Sequence, residues 1–289
     1  MYWQTSRFQI DLSRPRIMGI VNVTPDSFSD GGRHADLSSA VRHAERLLSD
    51  GADILDLGGE STRPGSPALP LDEEMRRVLP VLAELVRLGA PVSVDTYKPE
   101  LMRAALDLGA DIINDIWALR QPGAHEVVTA HPACGICLMH MHRDPQSMQV
   151  LPMSGDVVAQ VSDFLRQEVD RLRALGVASE RLVLDAGIGF GKTVEQNFSL
   201  LARQGELLAL GLPWLAGWSR KSSLGAVTGL AVGDRLVPST TAAVLAVDRG
   251  ARLVRVHDVK ETVAALQVWQ AVQQETRGGT PSEKDGGSR

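Results

Sequence analysis

The chain has 289 residues, 44% of them hydrophobic and 22% charged, and a net charge of −5. That length and balance suit a globular chain with a sizeable core, and the acidic excess argues against nucleic acid as the main partner. The first seventeen residues contain no continuous apolar stretch of the secretory kind, and no run reaches the ~18 apolar residues of a membrane span, so a soluble, cytoplasmic protein is expected.

In chain order, the first two apolar runs are 17–23 (IMGIVNV), opening into TPDSFSDGG, and 54–59 (ILDLGG), opening into ESTRPG. Loops so dense in hydroxyls, acids, Gly and Pro are characteristic of ligand binding. Six more runs follow at 91–96, 111–116, 135–141, 181–187, 212–219 and 252–258. Helical stretches lie between them. Ala40, Val41, Ala44, Leu47 and Leu48 share one helical face, as do Met75, Val78, Leu79, Leu82, Leu85 and Val86. Further helices are expected near 99–108, 156–175, 194–210, 239–249 and 261–274, with Asp72 and Ser154 as candidate N-caps. Gly-Ala pairs at 51, 89, 109 and 250 read as helix C-caps leading into strands. About eight strand–helix units predict a single (β/α)8 TIM barrel over 1–275. The polar, aperiodic segment 276–289 reads as a disordered tail.

In such a barrel the strand-end residues gather at one rim. They include Asn22, the 60–63 segment, Asp95, Asn114 with Asp115, His140, Asp185, the 219–221 segment, Arg255 and His257. Single members can be helix caps, but the full set in one mouth calls for a ligand. Asp95, Asn114 and Asp185 end strongly apolar strands and should sit deep, where carboxylates need donors. A flat, NH-rich heterocycle would satisfy them, with Lys221 against its ring acceptors. Arg63, Arg220, Arg255, His257, Thr62 and Ser222 read as an anion site, Ser222 lying where a helix could begin. For Arg220 a surface salt bridge is an equally good reading. Asn22, with the loop acids Asp26 and Asp30, is a candidate for Mg²⁺ bridging a diphosphate.

Two motifs are expected to mislead. Residues 186–193 (AGIGFGKT) fit a relaxed phosphate-loop pattern, but they form the sixth unit of the barrel and lack the first Gly. Their turn is expected to let backbone approach a ligand, with Phe190 packing nearby. Cys134 and Cys137, with His140 and His142 beyond, lead into a strand rather than opening a helix. Cys137 and His140 should face opposite sides of it, so ordinary buried cysteines are expected.

Taken in order, 18–32 (MGIVNVTPDSFSDGG), 55–65 (LDLGGESTRPG), 93–98 (SVDTYK), 112–116 (IINDI), 138–141 (LMHM), 184–192 (LDAGIGFGK), 219–222 (SRKS) and 255–263 (RVHDVKETV) resemble the dihydropteroate synthase family. The likeness runs from Ile17 to about Ala271. It implies a homodimeric (β/α)8 transferase of folate biosynthesis. Such an enzyme joins 6-hydroxymethyl-7,8-dihydropterin diphosphate to 4-aminobenzoate with release of pyrophosphate, uses Mg²⁺ and is a sulfonamide target. By motif, the resemblance places Asp95, Asn114, Met139, Asp185, Phe190, Lys221 and Arg255 around the pterin. Asn22, Thr62, Arg63, Arg255 and His257 fall at the diphosphate, and Asn22 is the metal contact. Phe28, Arg63, Pro64, Lys221 and Ser222 surround 4-aminobenzoate. Asp95, Asp185, Lys221 and Arg63 carry the catalytic roles. Ala186 stands where the family more often has Pro, and Trp117 and Trp218 where smaller or flexible residues are common. Pterin-dependent methyltransferase barrels share the pocket but lack the two opening loops.

Overall fold

β-Branched and Leu-rich runs of three to seven residues form the strands of a parallel barrel, and the amphipathic stretches between them wrap its outside. The structure is a computed structural model that describes residues 1–23, 32–61, 68–143 and 152–278. The barrel strands are β3 (Arg16–Asn22), β4 (Ile54–Gly58), β5 (Val92–Asp95), β6 (Ile112–Asp115), β7 (Gly135–Met139), β8 (Leu182–Asp185), β9 (Trp214–Ala216) and β10 (Leu253–Val256). They close in the order β10-β3-β4-β5-β6-β7-β8-β9, every pair parallel. The (β/α)8 barrel read from the sequence is therefore the observed fold.

The outer helices are α1 (Gly32–Ser49), α2 (Leu71–Leu85), α3 (Pro99–Asp107), α4 (Ala124–Ala130), α5 (Val157–Ala174), α6 (Val194–Ala202), α7 (Gln204–Leu207), α8 (Ser222–Thr228), α9 (Leu236–Asp248) and α10 (Val259–Gly278). Their buried faces meet the outward-facing strand residues in two large apolar clusters, one around Leu55, Leu57, Val92 and Val94, the other around Ile113, Ile136, Leu138 and Leu184. Details differ from expectation. The N-cap of α5 is Asp156, whose carboxylate accepts from the N–H groups of Val158 and Ala159, rather than Ser154. Asp72 lies inside the first turn of α2, after Pro70. The stretch near 194–210 is broken at Arg203 into α6 and α7, and the short α4 had no sequence expectation. The glycines of all four Gly-Ala pairs have positive φ, as helix C-caps require. α10 runs to Gly278, into the segment read as a tail; residues beyond it lie outside the described ones.

The sequence reading also gave no element before residue 17. Here β1 (Tyr2–Gln4) and β2 (Gln9–Asp11) form an antiparallel hairpin. Trp3, Ile10 and Leu12 pack into the lower layer of the barrel interior, against Met18, Ile54, Ile112, Cys137, Val183, Leu215 and Leu253. Trp3 Nε1 donates to the Arg181 carbonyl at 2.9 Å. The hairpin closes the N-terminal end of the barrel and leaves the C-terminal end as the open mouth.

Candidate active site

The strand register decides which side chains share the mouth. Asn22, Gly58, Asp95 and Asn114 are successive partners across β3, β4, β5 and β6, and Met139 pairs with Asp185 across β7 and β8. Counting inward by twos from the lower layer gives Asp56 above Ile54, Asp185 above Val183 and Arg255 above Leu253. A cavity of about 460 Å³ opens here. Asn22, Asp95, Asn114, Met139, Asp185, Phe190, Lys221, Arg255 and His257 all line it, so nine of the residues singled out in the sequence converge. Ser222 begins α8 one residue beyond and is exposed. Phe28, Thr62, Arg63 and Pro64, like Asp26 and Asp30, lie outside the described residues.

One acid in this site was not singled out from the sequence. Asp56 is fully buried beneath the cavity floor. Arg255 donates from Nε to Asp56 Oδ2 at 2.5 Å and from Nη2 to Asp95 Oδ2 at 2.7 Å. Asn114 Nδ2 lies 3.4 Å from both Asp56 oxygens. The available signal was an acid at the middle inward position of an otherwise apolar strand, ILDLGG. Arg255, read as an anion ligand, is thus already paired with two carboxylates.

Burial pushes the Asp95 carboxyl up to about 7, against the pull of Arg255. Asp185 is likewise raised by burial, opposed by the N–H of Gly187, which donates to its Oδ1 at 2.7 Å. Burial brings the Lys221 ammonium down to about 8; it sits 4.2 Å above the Phe190 ring. Phe190, Met139, Ile116 and Met141 form an apolar cluster on one wall. His257 is pushed down to about 3 by burial and by Arg220 and Arg255, so its ring is neutral. Ser219 Oγ accepts from the His257 N–H at 3.1 Å and lies 2.9 Å from Nδ1. Its hydroxyl proton can go to Nδ1, which places the ring proton on Nε2. Arg220 pairs with Asp258 at 2.6 Å in the salt bridge that was one of its two readings, while still bordering the cavity.

Both misleading motifs resolve structurally. Lys192, which a phosphate loop would aim at a ligand, is buried and donates to the carbonyls of His140, Gly187 and Phe190 at 3.3, 2.9 and 3.1 Å. A Cβ on Gly187 would stand 1.9 Å from the His140 carbonyl oxygen, so the turn needs glycine there. Cys134 and Cys137 are free and buried. Cys137 points into the barrel, whereas His140 packs edge-on against Phe164 of α5. No group of three or more His, Cys, Asp or Glu among the described residues could hold a metal ion.

The family model described as pterin binding enzyme matches residues 18–257. The chain is 49% identical over 276 residues to the dihydropteroate synthase of Neisseria meningitidis serogroup B, covering 93% of this chain and 97% of that protein. The chain belongs to the dihydropteroate synthase family.

Solved structures in the family superpose closely. The Xanthomonas albilineans enzyme with 4-aminobenzoic acid gives a TM-score of 0.87 at 52% identity, covering 92% of this chain and 95% of that one. The Burkholderia cenocepacia enzyme complexed with 7,8-dihydropteroate gives 0.87 at 48% identity, covering 96% and 98%.

Proposed function

We propose that the chain joins 6-hydroxymethyl-7,8-dihydropterin diphosphate to 4-aminobenzoate, giving 7,8-dihydropteroate and pyrophosphate. The observation that carries this reading is the convergence of Asp95, Asn114, Asp185, Lys221 and Arg255 on one cavity, in a chain of this family. Ring N–H groups of the pterin would donate to Asp95 and Asp185, Lys221 would donate to a ring acceptor, and Met139 and Phe190 would flank the ring. His257 Nε2–H, Thr62, Arg63 and Arg255 are assigned to the diphosphate. Phe28, Arg63, Pro64, Lys221 and Ser222 are assigned to 4-aminobenzoate.

In the reaction the bond from the methylene carbon to the diphosphate oxygen breaks, its electron pair leaving with pyrophosphate. The amine nitrogen forms the new C–N bond and releases a proton to solvent. The aromatic amine is neutral at pH 7, so positioning outweighs base strength. Asp95, Asp185 and the buried Asp56 favour positive charge developing on the pterinylmethyl group.

Mg²⁺ fits the donor set in kind. Asn22 Oδ1 and Asp95 Oδ2 each come within 3.7 Å of the point where a Cβ on Gly58 would sit. Asn22 Oδ1 as a hard oxygen, with no closed cage among the described residues, suits a cation that keeps waters and substrate phosphates as ligands. Asn22 would hold it, and when bound it would neutralise charge on the leaving diphosphate.

A homodimer is part of the same proposal. α9 (LVPSTTAAVLAVD) is apolar around nearly all its circumference, the pattern of a helix covered on both sides. Yet Val237 is 67% exposed, and Val227 and Val232 nearby are also exposed. No helix among the described residues is long and apolar enough to cross a membrane, and a cytoplasmic location accords with that.

The test is pyrophosphate release from the pterin diphosphate. Release should require both 4-aminobenzoate and Mg²⁺ and should be blocked by a sulfonamide acting as acceptor mimic. Full-length protein that binds neither substrate and releases no pyrophosphate would sink the reading.

A further inference from the structure

The other polar residues named for the pterin pocket line the cavity. Asp56 does not. It lies on β4 beside them, with no exposure to solvent. Its two oxygens meet two different side chains that do reach the cavity. Oδ2 receives Arg255 Nε at 2.5 Å, and both oxygens face Asn114 Nδ2 at 3.4 Å.

These contacts have directional consequences. The Asp56 oxygens accept from Arg255, and the end of the Asn114 amide turned toward them is the NH2. Asn114 Oδ1 is thereby left facing the cavity as an acceptor. Arg255 is held by Asp56 at Nε and by Asp95 at Nη2. A guanidinium gripped at two nitrogens by carboxylates on different strands has its plane fixed. Nη1 is left as the nitrogen with no protein partner among the described residues. We propose that Asp56 is a positioning residue that sets the donor and acceptor pattern of the pterin pocket, fixing Asn114 as an acceptor and holding the Arg255 guanidinium in one plane with its Nη1 donors free. The inference rests on the pterin reading of the cavity given above.

Charge gives Asp56 a second, separable signature. Asp95 is faced by Arg255 from β10, Lys221 just before α8, Asp56 from β4, Asp115 from β6 and Glu74 from α2. Arg255 and Lys221 favour its ionised form, and Asp56, Glu74 and Asp115 oppose it. Removing the Asp56 charge while keeping its shape should therefore ease the ionisation of Asp95. A residue that merely filled space would leave that ionisation where it was.

The experiment compares full-length wild type with Asp56→Asn. It measures calorimetric affinity for 6-hydroxymethyl-7,8-dihydropterin, which lacks the diphosphate, and the pH dependence of kcat/KM for the pterin diphosphate. Wild type must first bind the pterin and turn over; if it does neither, the functional reading fails and this inference is not what failed. Given that, Asp56→Asn should lose about 10- to 100-fold in pterin affinity, the scale of disturbing one hydrogen bond to a charged group. The acid limb of its pH profile should move to lower pH. A folded variant whose affinity stays within about twofold of wild type (a difference far below the 1.4 kcal/mol of a tenfold change), or whose acid limb does not move, overturns the proposal. If Asp56→Asn does not fold, Asp56→Glu takes its place. It keeps the charge but displaces both partners, so the acid limb should stay and the affinity fall; retained affinity there overturns the proposal equally.

Discussion

Two groups on facing sides of the pocket set its working pH window. Asp95 must be ionised to accept from the pterin, and burial raises it to about 7. Lys221 must be protonated to donate, and burial lowers it to about 8. Activity is therefore lost as pH falls through the Asp95 value and lost again as pH rises through the Lys221 value. A narrow bell in kcat/KM between about 7 and 8 is the expected profile, reporting macroscopic values of the coupled site. Lys221→Met should remove the alkaline limb and lower kcat/KM by about 100-fold, the scale of losing one preorganised donor. Steady-state kinetics across pH checks both; an alkaline limb that persists in the variant excludes Lys221 as its source. At this scale the sequence was legible where chemistry sits at a strand end. Asp95 and Asp185 could be placed as the last residues of apolar strands, Asn114 one residue before such an end and Lys221 just beyond one, while Arg255 was found through its anion-type chemistry beside His257. Asp56 escaped because it lies mid-strand, where a single acid among Leu and Ile gives no rim signal, and only the closed barrel shows which two partners satisfy it.

Among the connecting elements, the turn between β8 and α6 is held by an uncommon device. Lys192 is buried with its ammonium capped by three backbone carbonyls, one from across the gap after β7. This pins the turn carrying Phe190 against the segment carrying His140. Lys192→Met keeps the volume but leaves those carbonyls without a donor. A loss of about 3 kcal/mol in unfolding free energy is expected, as buried acceptors go unsatisfied. Urea denaturation should show a lowered midpoint at unchanged slope, and an unchanged midpoint would show that the carbonyls find other partners. The GxGK pattern alone could not reveal this, because a lysine ending a glycine turn looks the same whether it points at a phosphate or at its own backbone. Strand positions, by contrast, were readable to within three residues from hydrophobic runs, and the Gly-Ala pairs marked helix ends through the left-handed backbone they require.

For the molecule as a whole, the homodimer proposed through α9 makes a simple demand. Val237→Glu should convert the dimer to monomer in analytical ultracentrifugation, and an unchanged sedimentation coefficient would place the interface elsewhere. The closed end of the barrel makes a second. Trp3 is fully buried beneath the strands, so Trp3→Ala should cost ~3–5 kcal/mol of stability, as large-to-small core changes do. The mouth lies at the other end, so kcat of the folded fraction should be retained, as read by denaturant titration alongside the assay; a fall in kcat with stability intact would tie the hairpin to the chemistry. The hairpin was not legible in the sequence because its two strands are too short to show periodicity. Its seat also carries a consequence in time. Trp3 bonds to Arg181, 178 residues further along the chain. On a ribosome this hairpin segment must wait, with its tryptophan unburied, until β8 has emerged. Contacts this distant form late. Between the making of the two segments, Trp3, Ile10 and Leu12 have no floor to pack against. That interval is when a chaperone, or an aggregate, would find it.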